Sequence, residues 1–167
     1  MADKASVGLK LTINYQIPIS NTPLLCGLEF DRWMRRMPGM AESPSALVID
    51  DEQHVRTFLR TLVQMAGAGK VWEADSGPRG KELYLRHKPT IVLLDLNMAG
   101  PTGLAILSQI IESDPDAKVI IVTSQNDRET VLECQRLGAT GFLLKSRRKD
   151  ELLASLKKIL TEAEAGG

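Results

Sequence analysis

Three runs built only of aliphatic side chains, "ALVI" at 46–49, "IVLL" at 91–94 and "VIIV" at 119–122, constrain this chain more than anything else in it. Each is short enough for a strand and too uniform for a strand with one wet side, so each reads as a strand covered on both faces. Helical patterns run between them. In the first, Val55, Phe58, Leu59, Leu62, Val63 and Ala66 form one stripe at helical spacing, which Gly67 and Gly69 terminate. In the last, Leu152, Leu153, Leu156, Ile159 and Leu160 share a face. Weaker helices are predicted near 77–87, 103–113 and 127–137, and further strands at "KVWEA", 70–74, and "FLL", 142–144. Right-handed crossovers then place helices on both sides of a parallel sheet, which makes this a doubly wound α/β domain.

With 167 residues the chain holds one such domain and an extension. Lys and Arg total 21, as do Asp and Glu, so no net field favours nucleic acid or an anionic membrane. Cys26 and Cys134 lack metal-ligand spacing and suit reduced thiols. No apolar stretch approaches the roughly 20 residues that span a bilayer, and no signal peptide opens the chain, so a cytoplasmic location is expected. The domain is placed at 44–163, with 164–167 as a fraying tail. Residues 1–43, which include Pro18, Pro23 and Pro38, are expected to be a disordered extension or one short helix. Such a helix would use Leu24, Leu25, Leu28, Phe30, Trp33, Met34 and Met37 against a partner or a second copy, as in a homodimer. Met40 precedes the domain as a natural start would.

In doubly wound sheets, ligands bind at the carboxyl ends of the strands, beside the point where strand order reverses. Here those ends carry Asp50 and Asp51, then Asp95, then Thr123 and Ser124, then Lys145. Singly, each has a plain explanation: Asp51 as a helix cap, Asp95 in an Asx turn, Thr123 as an ordinary strand residue, Lys145 as a solvated end. Jointly, three gathered carboxylates repel, and either a proton or a cation must relieve them. An oxygen-only cluster beside a lysine suits Mg²⁺.

These segments, "LVIDDE", "LLDLNM" followed by Gly103-Leu104, "IIVTS" and "GATGFLLKS", resemble the receiver domain of bacterial two-component response regulators, the CheY-like superfamily. The resemblance implies a flavodoxin-like five-stranded parallel sheet in the order 2-1-3-4-5; a chemotaxis receiver is a standard example of that fold. It also implies a phosphorylatable switch. Asp95 would be the phosphoacceptor, charged by the phosphohistidine of a sensor histidine kinase or by a phosphotransfer protein. Asp50, Asp51, Asp95 and the backbone carbonyl of Asn97 would hold Mg²⁺, and Lys145 and Thr123 would contact the phosphoryl group. Phe142 would turn inward when Thr123 moves, and the fourth helix, fifth strand and fifth helix would present the change to an output protein or module. Such a switch has at most slow self-phosphorylating and self-dephosphorylating activity.

Two departures from the family pattern concern loops. Ala99 stands where many receivers have Pro, with Pro101 two residues later, and Ser146 follows the lysine in place of Pro. A cis bond before a non-proline costs about 2.5–4 kcal/mol, so Lys145–Ser146 is expected to be trans. Receivers with a non-proline there include ones fused to helix-turn-helix modules. The competing enzyme reading is a Mg²⁺-dependent aspartyl-phosphate phosphatase of the haloacid dehalogenase type, whose DxDx[TV] signature neither "DDEQH" nor "DLNMA" meets. A flavodoxin-like cofactor carrier would need a Ser, Thr and Gly phosphate loop where two acids stand.

Overall fold

The computed structural model describes residues 43–99, 102–124 and 128–165. The expectations for the N-terminal extension, for Cys26 and for Pro101 lie outside them.

Strands and helices alternate as the hydrophobic runs require: β1 (Ser45–Ile49), α1 (Gln53–Ala66), β2 (Lys70–Ala74), α2 (Gly77–His87), β3 (Ile91–Asp95), α3 (Gly103–Ser113), β4 (Val119–Thr123), α4 (Arg128–Arg136), β5 (Gly141–Leu144) and α5 (Lys149–Ala165). All neighbouring strands are parallel, in the order β2-β1-β3-β4-β5. This is the flavodoxin-like sheet, and its order reverses between β1 and β3. Central strands β3 and β4 are buried at every position. Edge strand β2 is mostly half-exposed, the physical reason its sequence signal is weaker.

The sheet divides the core in two. Ala46, Val48, Ile91, Leu93, Ile120, Val122 and Leu143 face α1 and α5, and meet Leu59, Leu62, Val63, Leu152, Leu156 and Leu160. Leu47, Ile49, Val92, Leu94, Val119 and Ile121 face the other side, with residues of α2, α3 and α4. Each Val, Leu or Ile side chain among them contributes about 1.5–3 kcal/mol when fully buried. Cys134 is a buried thiol in the second layer. Phe58 departs from expectation: it is 41% exposed, because it lies at the margin of the α1 stripe, beyond the sheet-facing Leu59 and Leu62. Among the described residues no helix is long and apolar enough to cross a membrane.

Gly67 and Gly103 are glycines that geometry requires. Gly67 ends α1 at φ 118°, and its N–H and that of Ala68 return to Gln64 and Val63. Gly103 opens α3 against the backbone of the β3 exit, where an added Cβ would lie 2.5 Å from both the Asp95 carbonyl oxygen and Leu96 Cα. Backbone cannot yield as a flexible side chain can. Gly103→Ala is therefore expected to lower stability by about 1–3 kcal/mol, the usual range for overpacking, and to displace the Asp95–Asn97 backbone. Urea denaturation measures the first and amide chemical shifts of residues 95–97 the second; an unchanged midpoint would contradict the tight approach.

Candidate functional site

Register explains how separate strands reach one place. Ile49 pairs with Leu94, so Asp50, one residue beyond, stands level with Asp95 on the neighbouring strand. Thr123 pairs with Leu144, which puts Lys145 at the next position along the same edge. Alternation then sorts the side chains. Asp50, Asp95 and Lys145 share the parity of Val48, Leu93 and Leu143 and belong to the α1 and α5 face; Thr123 and Phe142 belong to the other.

Asp50 and Asp95 are almost wholly buried, at 0% and 1% exposure. The Lys145 ammonium lies 2.8 Å from Asp50 Oδ2 and 3.0 Å from Asp95 Oδ2, with Glu52 Oε1 at 4.0 Å. Burial alone would lower the lysine pKa, but hydrogen bonds and attraction to Asp50 and Asp95 outweigh it and raise it above its ordinary value. Lys145 stays charged through the neutral range.

Asp51, the most accessible of the three acids, completes the cluster: one carboxylate oxygen from each of Asp50, Asp51 and Asp95 lies within 4.8 Å of the others. At that separation, with an effective dielectric of about 20, two unit charges repel by roughly 3.5 kcal/mol. One ammonium touches two of the three. Asp95 Oδ1 is buried and has no hydrogen-bond partner among the described residues. A buried, unpartnered carboxylate oxygen in an acid-rich cluster fits a hard divalent cation such as Mg²⁺.

The loops that carry these acids are tied at each residue. Asp50 Oδ1 accepts from the Glu52 N–H at 2.9 Å, and Asp51 Oδ2 accepts from the Ala99 N–H at 3.0 Å. Asp51 therefore does not cap α1; Glu52 stands at the cap position and makes no side-chain capping bond. Arg56 reaches back to the carbonyl oxygens of Asp50 and Asp51, at 2.8 and 3.0 Å. Thr123 is buried at the end of β4, Asn97 is exposed in the loop after β3, and Phe142 is half-buried against the second core layer. No cis peptide bond occurs among the described residues, so Lys145–Ser146 is trans. Glu52, Arg56 and the Ala99 amide escaped the sequence reading. The only available signal for Arg56 was its place one turn into α1 after an acid pair.

The family profile of the response regulator receiver domain matches residues 46–157. The nitrate/nitrite response regulator protein NarL of Escherichia coli strain K12 is 36% identical over 126 residues, which cover 75% of this chain and 56% of NarL. The chain thus spans little more than half the length of that relative. Chemotaxis protein CheY of Listeria monocytogenes is 34% identical over 112 residues, or 67% of this chain and 94% of CheY. Among solved structures, a Borrelia burgdorferi CheX-CheY-BeF3-Mg²⁺ complex superposes with a TM-score of 0.66 at 25% identity, covering 70% of this chain and 88% of the matched one.

Removing the ammonium should leave two buried carboxylates uncompensated. In metal-free buffer at pH 7, Lys145→Gln is expected to lose about 3 kcal/mol of stability, and added Mg²⁺ should restore part of it. Because the folded-state pKa of Lys145 is raised, its contribution is complete below the ordinary value of 10.5 and is lost as pH rises through the folded value. The gap between wild type and variant should therefore close above pH 10.5, as urea denaturation across pH would show.

Proposed function

The chain belongs to the response regulator receiver family, and from that premise we propose that it is a phosphorylatable switch whose acceptor is Asp95. The observation that carries this reading is Asp95 itself: a carboxylate at the exit of a wholly buried strand, with Oδ2 on an ammonium and Oδ1 without a partner among the described residues. The donor is the phosphohistidine of a sensor histidine kinase or a phosphotransfer protein. A bond forms between an Asp95 oxygen and phosphorus as the P–N bond breaks, and the electron pair passes to the imidazole nitrogen.

Such transfer depends on positioning and charge neutralisation far more than on covalent assistance. Asp50, Asp51, Asp95 and the Asn97 carbonyl would hold Mg²⁺, which when bound supplies positive charge beside the phosphoryl oxygens. Lys145 would exchange its Asp95 contact for a phosphoryl oxygen while keeping Asp50. Thr123, on the adjacent strand end, would donate its hydroxyl to the new group, and Phe142 would turn inward on the same side of the sheet. The added charge biases a two-state surface made by α4, β5 and α5 toward an output protein or module. The match to a longer regulator supports an output of this kind. The haloacid dehalogenase alternative finds no support, since the matches are to receivers and neither acid motif carries its signature.

Asp95→Asn should abolish labelling by acetyl phosphate, leave the fold intact and, with one charge fewer in the cluster, keep or raise the thermal midpoint. Undiminished acid-stable labelling would reject Asp95 as acceptor. Thr123→Ala should still be phosphorylated but should lose the contact that distinguishes the two states. With both proteins phosphorylated to the same extent, amide exchange across 128–160 should change in wild type and stay near its resting pattern in the variant. An identical change in both would remove Thr123 from the relay.

A further inference from the structure

The geometry points to Arg56 as a positioning residue for the acid pair, a role that rests on the reading of Asp50 and Asp51 as the metal-holding carboxylates. The β1 strand ends at Ile49 and α1 begins at Gln53, so the Asp50 and Asp51 carbonyls lie past the strand and before the helix. Backbone acceptors at such a junction bond to side chains or to water; the Asp50 carbonyl is part-buried and that of Asp51 exposed. Arg56 serves both from one nitrogen, Nη1, at 2.8 and 3.0 Å. That nitrogen carries two hydrogens, one for each carbonyl, in the plane of a rigid guanidinium. Two consecutive peptide planes are fixed by one group, and the carboxylates of Asp50 and Asp51 hang from the same segment.

The arginine is itself anchored, since its N–H donates to the Glu52 carbonyl at 3.0 Å as part of α1. Its position is not in itself one that stabilises the helix: a cation near a helix N-terminus opposes the macrodipole, and the acids that offset it, Glu52 at the cap and the Asp50–Asp51 pair, lie outside the helix. The bonds it makes are to the loop. The chain of contacts continues from that loop through Asp51 Oδ2 to the Ala99 N–H, and so joins the acid pair to the loop that follows Asp95. Arg56 thereby sets the spacing between two acids on one strand end and the acceptor on another.

Charge and geometry predict opposite results when Arg56 is replaced. If the guanidinium acted only as a nearby positive charge, its loss would make the cluster more negative and Mg²⁺ would bind more tightly. If it positions the carboxylates, its loss loosens them and Mg²⁺ binds more weakly. The test uses the full chain as Arg56→Met and as Arg56→Lys, which keeps the charge without the planar fork. In metal-free protein the Glu52 and Ala99 amides of Arg56→Met should exchange about tenfold faster, as expected when a local restraint is lost. Isothermal titration with Mg²⁺ should show a dissociation constant raised about tenfold, the lower end for losing a group that orients metal ligands. Arg56→Lys should recover only part of either effect, and serves alone if Arg56→Met fails to fold. Tighter or unchanged Mg²⁺ binding, or unaltered exchange, in the variants would overturn the positioning role. Failure of wild type to bind Mg²⁺ would instead overturn the metal reading, while the exchange measurement would still decide whether Arg56 orders the loop.

Discussion

Lys145 leaves the end of β5 and sets its ammonium 2.8 Å from Asp50 and 3.0 Å from Asp95, reaching past β4 to two strands that lie deeper in the sheet. Both carboxylates are buried, so the contact joins charges that have lost most of their water. Such a pair tends to break even on stability, because desolvation offsets attraction. Its consequence is chemical. With Asp51 close by, the Lys145 ammonium touches two of three gathered acids, and Asp95 keeps an oxygen without a partner among the described residues.

The scaffold makes that cluster possible. A carboxylate on a surface loop would be solvated and flexible; Asp95 instead continues a strand whose every residue is buried, between two parallel neighbours. The close approach of Gly103 to the same strand exit holds the following turn against the sheet. Side-chain alternation separates two sets of residues. By that alternation Asp50, Asp95 and Lys145 belong to the α1 and α5 side, whereas Thr123 and Phe142 belong to the side of α2, α3 and α4. A signal from Asp95 to Phe142 in the proposed switch therefore passes around the carboxyl edge of the sheet rather than along one face.

Much of this was legible beforehand. The wholly apolar runs identified the central strands, since only a sheet covered on both sides demands them. The stripe on α1 placed Leu59, Leu62 and Val63 correctly, but counted Phe58 as core, because periodicity gives direction and not the lateral reach of the neighbouring layer. Asp50, Asp51, Asp95 and Lys145 were legible as strand-end residues. The bonds that hold them were not: Ala99 contributes a backbone N–H, which has no side-chain signature, and Asp51 uses that amide in place of the helix cap that its position suggested.

The sequence alone determined which residues stand at strand ends and which faces are apolar, because both follow from periods of 2 and 3.6 residues along one chain. The order β2-β1-β3-β4-β5 was reached by likeness to a family and not by periodicity. Only the tertiary structure decided the register that levels Asp50 with Asp95, the reach of Lys145 across β4, and the turn of Arg56 onto two carbonyls. These depend on distances between segments far apart in the chain or on the path of a loop, and such distances are set when the layers pack.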